Sequence, residues 1–316
     1  MTAILNITAP IFLIIFVGYV TVRYGLIPQS ALPGMSRFVL YLALPALIFS
    51  KLSMMPISEL LDLQYIISYS VGCLGVIIAA ILVNRFLLKS SLLFSGIKAV
   101  GSAQPNSAFI GLPVVMQFFD SPPAQAFAMV LMVENIIALP LALAFIESAS
   151  AKEGSERKIS LVMALSIGRR VILNPIILSV IIGVAFSLFG LRLPEFIQQG
   201  LSLMGNGSTP VALIIIGGSL VGVSIRSSLA DIALVSGAKL LLHPLLVALM
   251  VIYVFPDMSL ELKQAVILFA ASPMFSTYPI IGGQYGYQAF CSSTLLVATV
   301  MGFLSISTVL SLVPLL

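Results

Sequence analysis

Three ionisable side chains lie deep inside apolar stretches of this sequence, where a charge needs a partner or a purpose. Glu134 occurs in VLMVENIIALP, and Lys239 and His243 occur in AKLLLHPLL. A charged side chain near the centre of a bilayer costs at least about 2.5–3.5 kcal/mol and usually faces the interior of a helix bundle. These three residues are therefore candidates for binding a charged substrate or a coupling ion.

Lys239 and His243 are four residues apart, so they share one face of a helix. Lys239 could attract an organic anion into a site, or its side chain could extend towards a membrane interface about 12 Å away. His243 could carry a proton or form a hydrogen-bonded packing contact. Glu134 could titrate, coordinate sodium together with exposed carbonyls, or pair statically with Lys239. Glu134 and His243 are thus the candidates for ion or proton coupling.

The sequence lacks the common motifs that carry out catalysis in enzymes. One histidine excludes HExxH and multi-histidine metal sites, and the sequence contains no GxSxG motif, no P-loop and no paired intramembrane aspartates. The two cysteines, Cys73 and Cys291, are too few for a disulfide framework and are interpreted as small core residues. We therefore predict no enzyme activity, no catalytic residue, no metal and no cofactor, with H⁺ or Na⁺ as possible coupling ions.

The composition indicates a polytopic membrane protein. Of 316 residues, 60% are hydrophobic and 8% charged, and the mean hydropathy of +1.17 is far above that of a soluble domain. A helix needs about 20 apolar residues to cross a bilayer. We predict an all-α fold with ten transmembrane spans, near residues 3–22, 36–52, 63–84, 99–119, 124–147, 171–190, 198–224, 232–255, 264–285 and 290–315.

Loop charges predict the orientation of these spans. If successive loops lie on alternate sides of the membrane, eleven Lys and Arg residues fall on one side and three on the other. Lys239 lies within a span and belongs to neither group. By the positive-inside rule the richer side is cytoplasmic, so both termini lie outside. The rich group is Arg23, Arg37, Arg85, Lys89, Lys98, Lys152, Arg157, Lys158, Arg169, Arg170 and Arg226; the poor group is Lys51, Arg192 and Lys263.

The two halves of the chain resemble each other. A polar stretch, SASAKEGSERKIS at 148–160, separates two groups of five spans. Shifting the second half by 165 positions superposes prolines, glycines and a Gly-Leu pair of one half on those of the other. Because five is odd, the second repeat enters the membrane from the opposite side, which is typical of transporters. We predict one membrane domain made of repeat 1 (1–147), a cytoplasmic linker (148–170) and repeat 2 (171–316).

Spans 4 and 9 occupy corresponding positions, and both are interrupted by prolines. Span 4 contains QPNSAFIGLPVV at 104–115, and span 9 contains ASPMFSTYP at 271–279. Each proline could merely kink a packed helix. Two prolines per span in both repeats favour broken helices that cross at the midplane and leave half-helix ends to bind ions. The predicted substrate contacts are Gln104, Asn106, Ser276, Thr277 and Lys239, and the crossover residues are Pro105, Gly111, Pro113, Pro273 and Pro279.

The segment NSAFIGLP resembles the crossover motif of the auxin efflux carrier family. YLALPALIFSKL at 41–52, NPIILSVIIGV at 174–184 and STPVALIIIGGSL at 208–220 are similar to segments of that family in the same order. The resemblance implies a scaffold of spans 1, 2, 6 and 7, and a mobile core of spans 3–5 and 8–10 that holds the crossover. It also implies a homodimer and a kinship in fold with bile acid:sodium symporters.

The resemblance implies a secondary active transporter of a small organic anion that works by alternating access. The substrate is expected to be a mono- or dicarboxylate such as malonate or malate, or an auxin-like acid. Plant members often have asparagine in the second crossover, where this chain has Ser276 and Thr277, and this departure weakens the case for auxin itself as the substrate. The alternatives are a sodium-coupled symporter of amphipathic anions and a passive anion channel. Short loops and the lack of targeting segments suggest a bacterial inner membrane.

Overall fold

The structure is a computed structural model, and it describes residues 2–56, 60–152, 173–225 and 228–316. Throughout these residues the regular structure is helical, apart from one antiparallel bridge between Pro105 and Met274. The all-α prediction is confirmed at this level. Most of the predicted linker falls outside the described residues.

Within the described residues, seven helices are long and apolar enough to cross a membrane. They correspond to predicted spans 1, 2, 3, 5, 7, 8 and 10. They are α1 (Thr2–Arg23), α2 (Gln29–Leu52), α3 (Leu63–Leu87), α6 (Ala124–Ala151), α8 (Glu195–Ser219), α9 (Leu229–Val254) and α12 (Gln288–Leu315).

The remaining helices are shorter. They are α4 (Leu92–Ala103), α5 (Ser107–Phe118), α7 (Pro175–Leu188), α10 (Leu260–Ala270) and α11 (Tyr278–Gly283). Helices α4 and α5 divide the predicted span 4, and α10 and α11 divide the predicted span 9. Both predicted spans are therefore interrupted where their prolines lie. The grouping of all these helices into ten membrane crossings and two inverted repeats stays a prediction.

Several long helices contain a wide π-helical turn close to a proline. The turns Val39–Ala43, Ser107–Gly111, Val133–Ala138 and Ala238–Leu242 are each followed, two residues after the turn, by a proline. Proline has no N–H, and its ring clashes with the carbonyl four residues earlier. A wider turn relieves that clash and lets the helix continue. Such turns are frequent at functional sites, and Ser107, Glu134 and Lys239 all lie in them.

Glycines bring α1 and α8 into close contact. A Cβ added at Gly217 would lie 1.8 Å from the carbonyl oxygen of Ile15, and one added at Gly18 would lie 2.4 Å from that of Ile214. In a membrane, helices associate mainly through close packing, which small residues permit. Helix α2 packs in turn against α7 and the first half of α8.

A second group of helices surrounds the interrupted segments. Helix α4 packs against α3 and α6, while α11 and the first part of α9 pack against α12. Tyr278 at the start of α11 connects α11 to α4, because its hydroxyl donates to the Ile97 carbonyl at 3.1 Å and its ring fills the space beside Gly101. The two broken segments are thus held together at their centre.

Candidate functional site

The two interrupted segments are joined where they cross by one antiparallel backbone bridge. The Asn106 N–H donates to the Pro273 carbonyl at 2.7 Å, and the Phe275 N–H donates to the Gln104 carbonyl at 3.2 Å. Pro105 and Met274 form the bridge between these two bonds. An unpaired backbone group in hydrocarbon costs several kcal/mol. Each break therefore supplies hydrogen-bond partners for the other, which is why two proline-rich interruptions are tolerated at one place.

The predicted crossover residues lie around this pairing. Gly111 approaches the end of α10 so closely that an added Cβ would lie 2.8 Å from the Phe269 ring. Pro113 is the second residue of the regular part of α5, and Pro279 is the second residue of α11, positions at which proline fits a helix start. These residues shape the crossing rather than offering polar atoms to a ligand.

Side chains extend the pairing into hydrogen bonds. The Asn106 amide donates to Ser276 Oγ at 2.9 Å, and its oxygen accepts from the Phe109 N–H at 3.3 Å, so Asn106 also caps α5. Gln104 is 2% exposed, and its Nε2 has no hydrogen-bond partner among the described residues. A buried amide donor without a partner is costly.

A cavity of about 700 Å³ lies against this crossing. It is lined by four of the predicted contacts, Gln104, Asn106, Ser276 and Thr277, and by Glu134. Helices α5 and α7 begin at its wall, and helix N-termini present partly positive N–H groups that favour anions. The volume is in the range of ordinary small-molecule sites.

Glu134 is held by two hydroxyl groups at the cavity wall. Its Oε1 accepts a hydrogen bond from the Tyr69 hydroxyl at 2.7 Å and a second from the Ser107 hydroxyl. The three residues come from α3, α5 and α6, and Glu134 is 7% exposed. Among the described residues that line the cavity, Glu134 is the only Asp, Glu, Lys, Arg or His. The static pairing of Glu134 with Lys239 is not among the ion pairs that the described residues form.

Lys239 and His243 lie behind the cavity wall rather than in it. Lys239 Nζ donates to the Ala270 carbonyl at 2.7 Å and lies 2.9 Å from His243 Nδ1. His243 Nε2 lies 3.4 Å from Cys73 Sγ, and all three side chains are fully buried. Lys239 is not among the cavity-lining residues, and its side chain is fully buried within the protein.

Comparison with known proteins identifies the family. Residues 3–310 match the sequence profile of a family described as membrane transport protein. The chain belongs to this family. It is the auxin efflux carrier family that the sequence motifs indicated, and the apolar helices make the chain an integral membrane protein.

Three relatives are similar in sequence to this chain. A protein of Rhizobium meliloti (strain 1021) named "Putative malonate transporter" is 31% identical over 99% of this chain and 97% of its own length. An "Uncharacterized transporter" of Methanothermobacter thermautotrophicus is 28% identical over 75% of each chain. The "Lysosomal cholesterol signaling protein" of Mus musculus is 26% identical over 74% of this chain but only 28% of its own length.

In this auxin efflux carrier chain the structure adds four polar residues that the sequence analysis did not select. Tyr69 and Ser107 contact Glu134, while Asn135 and Asn174 line the cavity and approach each other at 3.4 Å. The signals were present: Asn135 follows Glu134 directly, and Asn174 begins a segment that resembles the family. Asn174 also caps α7, since its side chain accepts from the Ile176 N–H at 2.9 Å.

A buried ion pair lies outside the cavity. Lys98, which the loop count assigns to the cytoplasmic surface, lies in α4 and is 1% exposed. Its ammonium donates to Asp231 at 2.5 Å and to Asn84 at 2.9 Å, and it lies over the Phe94 ring. This network connects the predicted cytoplasmic ends of α3, α4 and α9. Within the described ranges no cluster of three metal-ligating residues occurs.

Proposed function

We propose that this protein is a secondary active transporter of a small organic anion, which it moves by alternating access at the crossing of the two broken segments. The observation that supports the proposal best is one cavity lined by polar residues of both breaks, Gln104 and Asn106 from the first and Ser276 and Thr277 from the second. Paired interruptions in corresponding positions of two halves mark the binding site in many transporter folds. The substrate would lie against the crossing.

The architecture we propose has ten crossings in two inverted repeats, residues 1–147 and 171–316, joined by the linker 148–170. The antiparallel pairing of Pro105 with Met274 supports it, because two interrupted helices of opposite direction meet in this way. In this arrangement α1, α2, α7 and α8 form the scaffold, and the other helices form the mobile core. The protein would be a homodimer in a bacterial inner membrane, with both termini outside.

The proposed substrate is a mono- or dicarboxylate such as malonate or malate, or an auxin-like acid. Amide and hydroxyl donors at the cavity, together with the N-terminal ends of α5 and α7, suit a carboxylate. Malonate is the first candidate, because the relative from Rhizobium meliloti that aligns over nearly the whole chain is named for it. The amides of Asn135 and Asn174 give the cavity a second group of donors away from the crossing.

Glu134 is the proposed coupling residue. Among the described residues that line the cavity, Glu134 is the one with a charged side chain. Two hydroxyl groups donate hydrogen bonds to its carboxylate. A carboxylate in that position repels an anionic substrate unless a proton or a cation accompanies it. Entry of substrate would then be coupled to binding of that ion. Substitution of Glu134 by glutamine tests this role, as described in the Discussion.

The cavity is proposed to open towards the cytoplasm. Ser36, Tyr41 and Asn174 line it, and the predicted topology places the beginnings of α2 and α7 on the cytoplasmic side. The structure would thus represent an inward-facing form of the carrier. A closed outer side and an open inner side are what alternating access requires of one of its states.

Two alternatives differ in measurable ways. A passive anion channel would conduct at rates far above those of a carrier and would show no stimulation of uptake by substrate on the far side. A sodium-coupled symporter of amphipathic anions would require sodium for accumulation. The partly enclosed cavity and the acidic residue on its wall favour the carrier over the channel.

The decisive experiment is uptake of labelled malonate into proteoliposomes that contain the purified protein. Uptake is measured with and without unlabelled malonate inside, and across separate proton and sodium gradients. We expect internal malonate to stimulate uptake, which identifies exchange by a carrier, and the gradient that drives accumulation identifies the coupling ion. Uptake without stimulation from inside, at channel-like rates, would contradict the carrier mechanism. Failure with malonate alone redirects the same assay to monocarboxylates and indole acids.

A further inference from the structure

Lys239 occupies an unusual place for a membrane lysine, at the carbonyl end of a broken helix. Its side chain is completely buried, and Nζ donates to the carbonyl oxygen of Ala270 at 2.7 Å. Ala270 is the last residue of α10, the first half of the second broken segment. Lys239 itself lies in the π-helical turn Ala238–Leu242 of α9. An ammonium group from one helix therefore closes the open end of another.

The end of α10 has a physical need for a cation. The last four carbonyls of a helix have no N–H donor from their own helix, and the end has a partial negative charge of about half an electron. Here the chain continues to Pro273, which contributes no N–H. In carriers with broken helices, such carbonyl ends coordinate the transported cation. In this chain the Lys239 ammonium is already there.

The other contacts of Lys239 are neutral. An ammonium only donates hydrogen bonds, so His243 Nδ1, at 2.9 Å, accepts, and the ring proton belongs to Nε2, which faces Cys73 Sγ. The one ion pair that the described residues form is Lys98 with Asp231, so Lys239 has no carboxylate partner there. The carbonyl at the helix end and the imidazole are thus the groups that its ammonium contacts.

A chain of contacts connects this ammonium to the cavity. The His243 ring lies 5.7 Å from the Tyr69 ring, and the Tyr69 hydroxyl donates to Glu134 at the cavity wall. Lys239 therefore lies behind the site, on the side where the second broken segment begins. This position suits a group that holds α10 in place rather than one that contacts the substrate.

We infer that Lys239 is a built-in cation, which permanently fills the position at the carbonyl end of α10 that a coupling cation would otherwise occupy. This inference rests on the proposed carrier function and deepens it. Its consequence is that the protein needs no sodium at this end of the crossing. Lys239 is in this sense a positioning residue: it stabilises the broken helix so that the crossing keeps its shape.

The inference is tested first without transport, by the thermal unfolding of the purified protein. The protein is compared in sodium, methylammonium and N-methylglucamine chloride at equal ionic strength. We expect the wild type to unfold at the same temperature in all three. Lys239→Ala leaves a space beside the free Ala270 carbonyl, so it is expected to unfold at a lower temperature in N-methylglucamine and to be stabilised by methylammonium or sodium.

Lys239→Met is the matched control. Methionine has a similar length but no charge and leaves no room for a cation, so its unfolding temperature is expected to be low and equal in the three salts. A small cation that stabilises Lys239→Ala but not Lys239→Met supports the inference. Equal unfolding temperatures of Lys239→Ala in all salts, or stabilisation by sodium of a Glu134→Gln protein that keeps Lys239, would overturn it.

Exchange in proteoliposomes provides the second readout. Wild-type malonate exchange is expected to be unchanged when sodium is replaced, whereas exchange by Lys239→Ala is expected to fall about tenfold or more and to recover several-fold with methylammonium. Exchange by Glu134→Gln that still requires sodium refutes the inference and leaves the carrier function intact. If malonate is not transported at all, the proposed substrate fails, and the unfolding experiment still decides the role of Lys239.

Discussion

The Tyr69 hydroxyl donates to Glu134 Oε1 at 2.7 Å, and this bond connects α3 to α6 at the wall of the cavity. The Ser107 hydroxyl, from the start of α5, donates to the same oxygen. The Glu134 carboxylate thus connects three helices of the proposed core, including α5, which begins at the crossing. A change in the charge of Glu134 acts directly on the position of α5.

Glu134→Gln is expected to abolish accumulation of malonate against its gradient while exchange of internal for external malonate continues. Glutamine keeps the size of the side chain and an acceptor oxygen for Tyr69 and Ser107, but it cannot bind or release a proton or balance a cation. Both activities are measured in proteoliposomes. Full gradient-driven uptake by Glu134→Gln would end the proposal that Glu134 couples transport to an ion.

Tyr69→Phe serves as a milder companion to that variant. It removes one donor to the Glu134 carboxylate and preserves the ring, and a hydrogen bond to a charged group is worth about 1.5–3 kcal/mol. We expect exchange to slow by about tenfold or more and the coupling ratio to remain. The ratio of accumulated malonate to the imposed gradient is the measurement, and a change in that ratio would show that Tyr69 takes part in coupling itself.

Asn106→Ala is expected to destabilise the crossing and to weaken the binding of substrate there. The variant loses the bond to Ser276 and the cap of α5, which together suggest a loss of about 1–2 kcal/mol in stability. Ser276→Ala loses only the first of these bonds, so its effect should be smaller. The two single variants and the double variant form a cycle whose unfolding temperatures measure the coupling. Strictly additive effects would show that Asn106 and Ser276 act independently.

Access to the cavity can be followed with a single introduced cysteine. Both natural cysteines, Cys73 and Cys291, are buried, so the wild type is expected to resist a membrane-impermeant maleimide. Thr277→Cys places a thiol on an exposed position of the cavity lining and should be labelled from the cytoplasmic side. Malonate should slow the labelling. Ser208→Cys, at a buried position outside the lining, is the control that should stay unlabelled.

The contact of α1 with α8 predicts a difference between two glycines of the same helix. A Cβ at Gly217 would lie 1.8 Å from the Ile15 carbonyl oxygen, a backbone atom that cannot rotate away, whereas Gly200 has open space around it. Gly217→Ala should therefore lower the unfolding temperature of the purified protein. Gly200→Ala should leave it unchanged or raise it slightly, because alanine favours a helix. Equal effects of the two substitutions would contradict the close packing.

The ion pair between Lys98 and Asp231 predicts non-additive effects on stability. Removing one partner leaves a charge without its counter-ion in a largely buried place, and we expect Lys98→Met and Asp231→Asn each to lower the unfolding temperature. The double variant should lose less unfolding temperature than the sum of the losses measured for Lys98→Met and Asp231→Asn. Because Asp231 is about a quarter exposed, water can hydrate it when Lys98 is lost, so Asp231→Asn is expected to be the more damaging change.

Sequence by itself determined the class of the molecule, because the features that decide it are local. Apolar length sets which segments can cross a bilayer, and paired prolines near 105–113 and 273–279 mark the two spans that are predicted to break. The resemblance of NSAFIGLP and three further segments indicated the auxin efflux carrier family, and the two proline-rich stretches indicated four substrate contacts that line one cavity.

Only the tertiary structure decided which distant side chains meet. Asn106 and Ser276 are 170 residues apart, and no local pattern shows that their side chains bond. The sequence predicts Lys239 either at the substrate site or at a membrane interface. Its contact with the Ala270 carbonyl depends on how α9 packs against the end of α10. Likewise Tyr69 and Ser107 reach Glu134 only because three helices converge. Such contacts follow from the packing of the whole bundle, whereas the paired prolines that mark the two breaks are visible in the sequence.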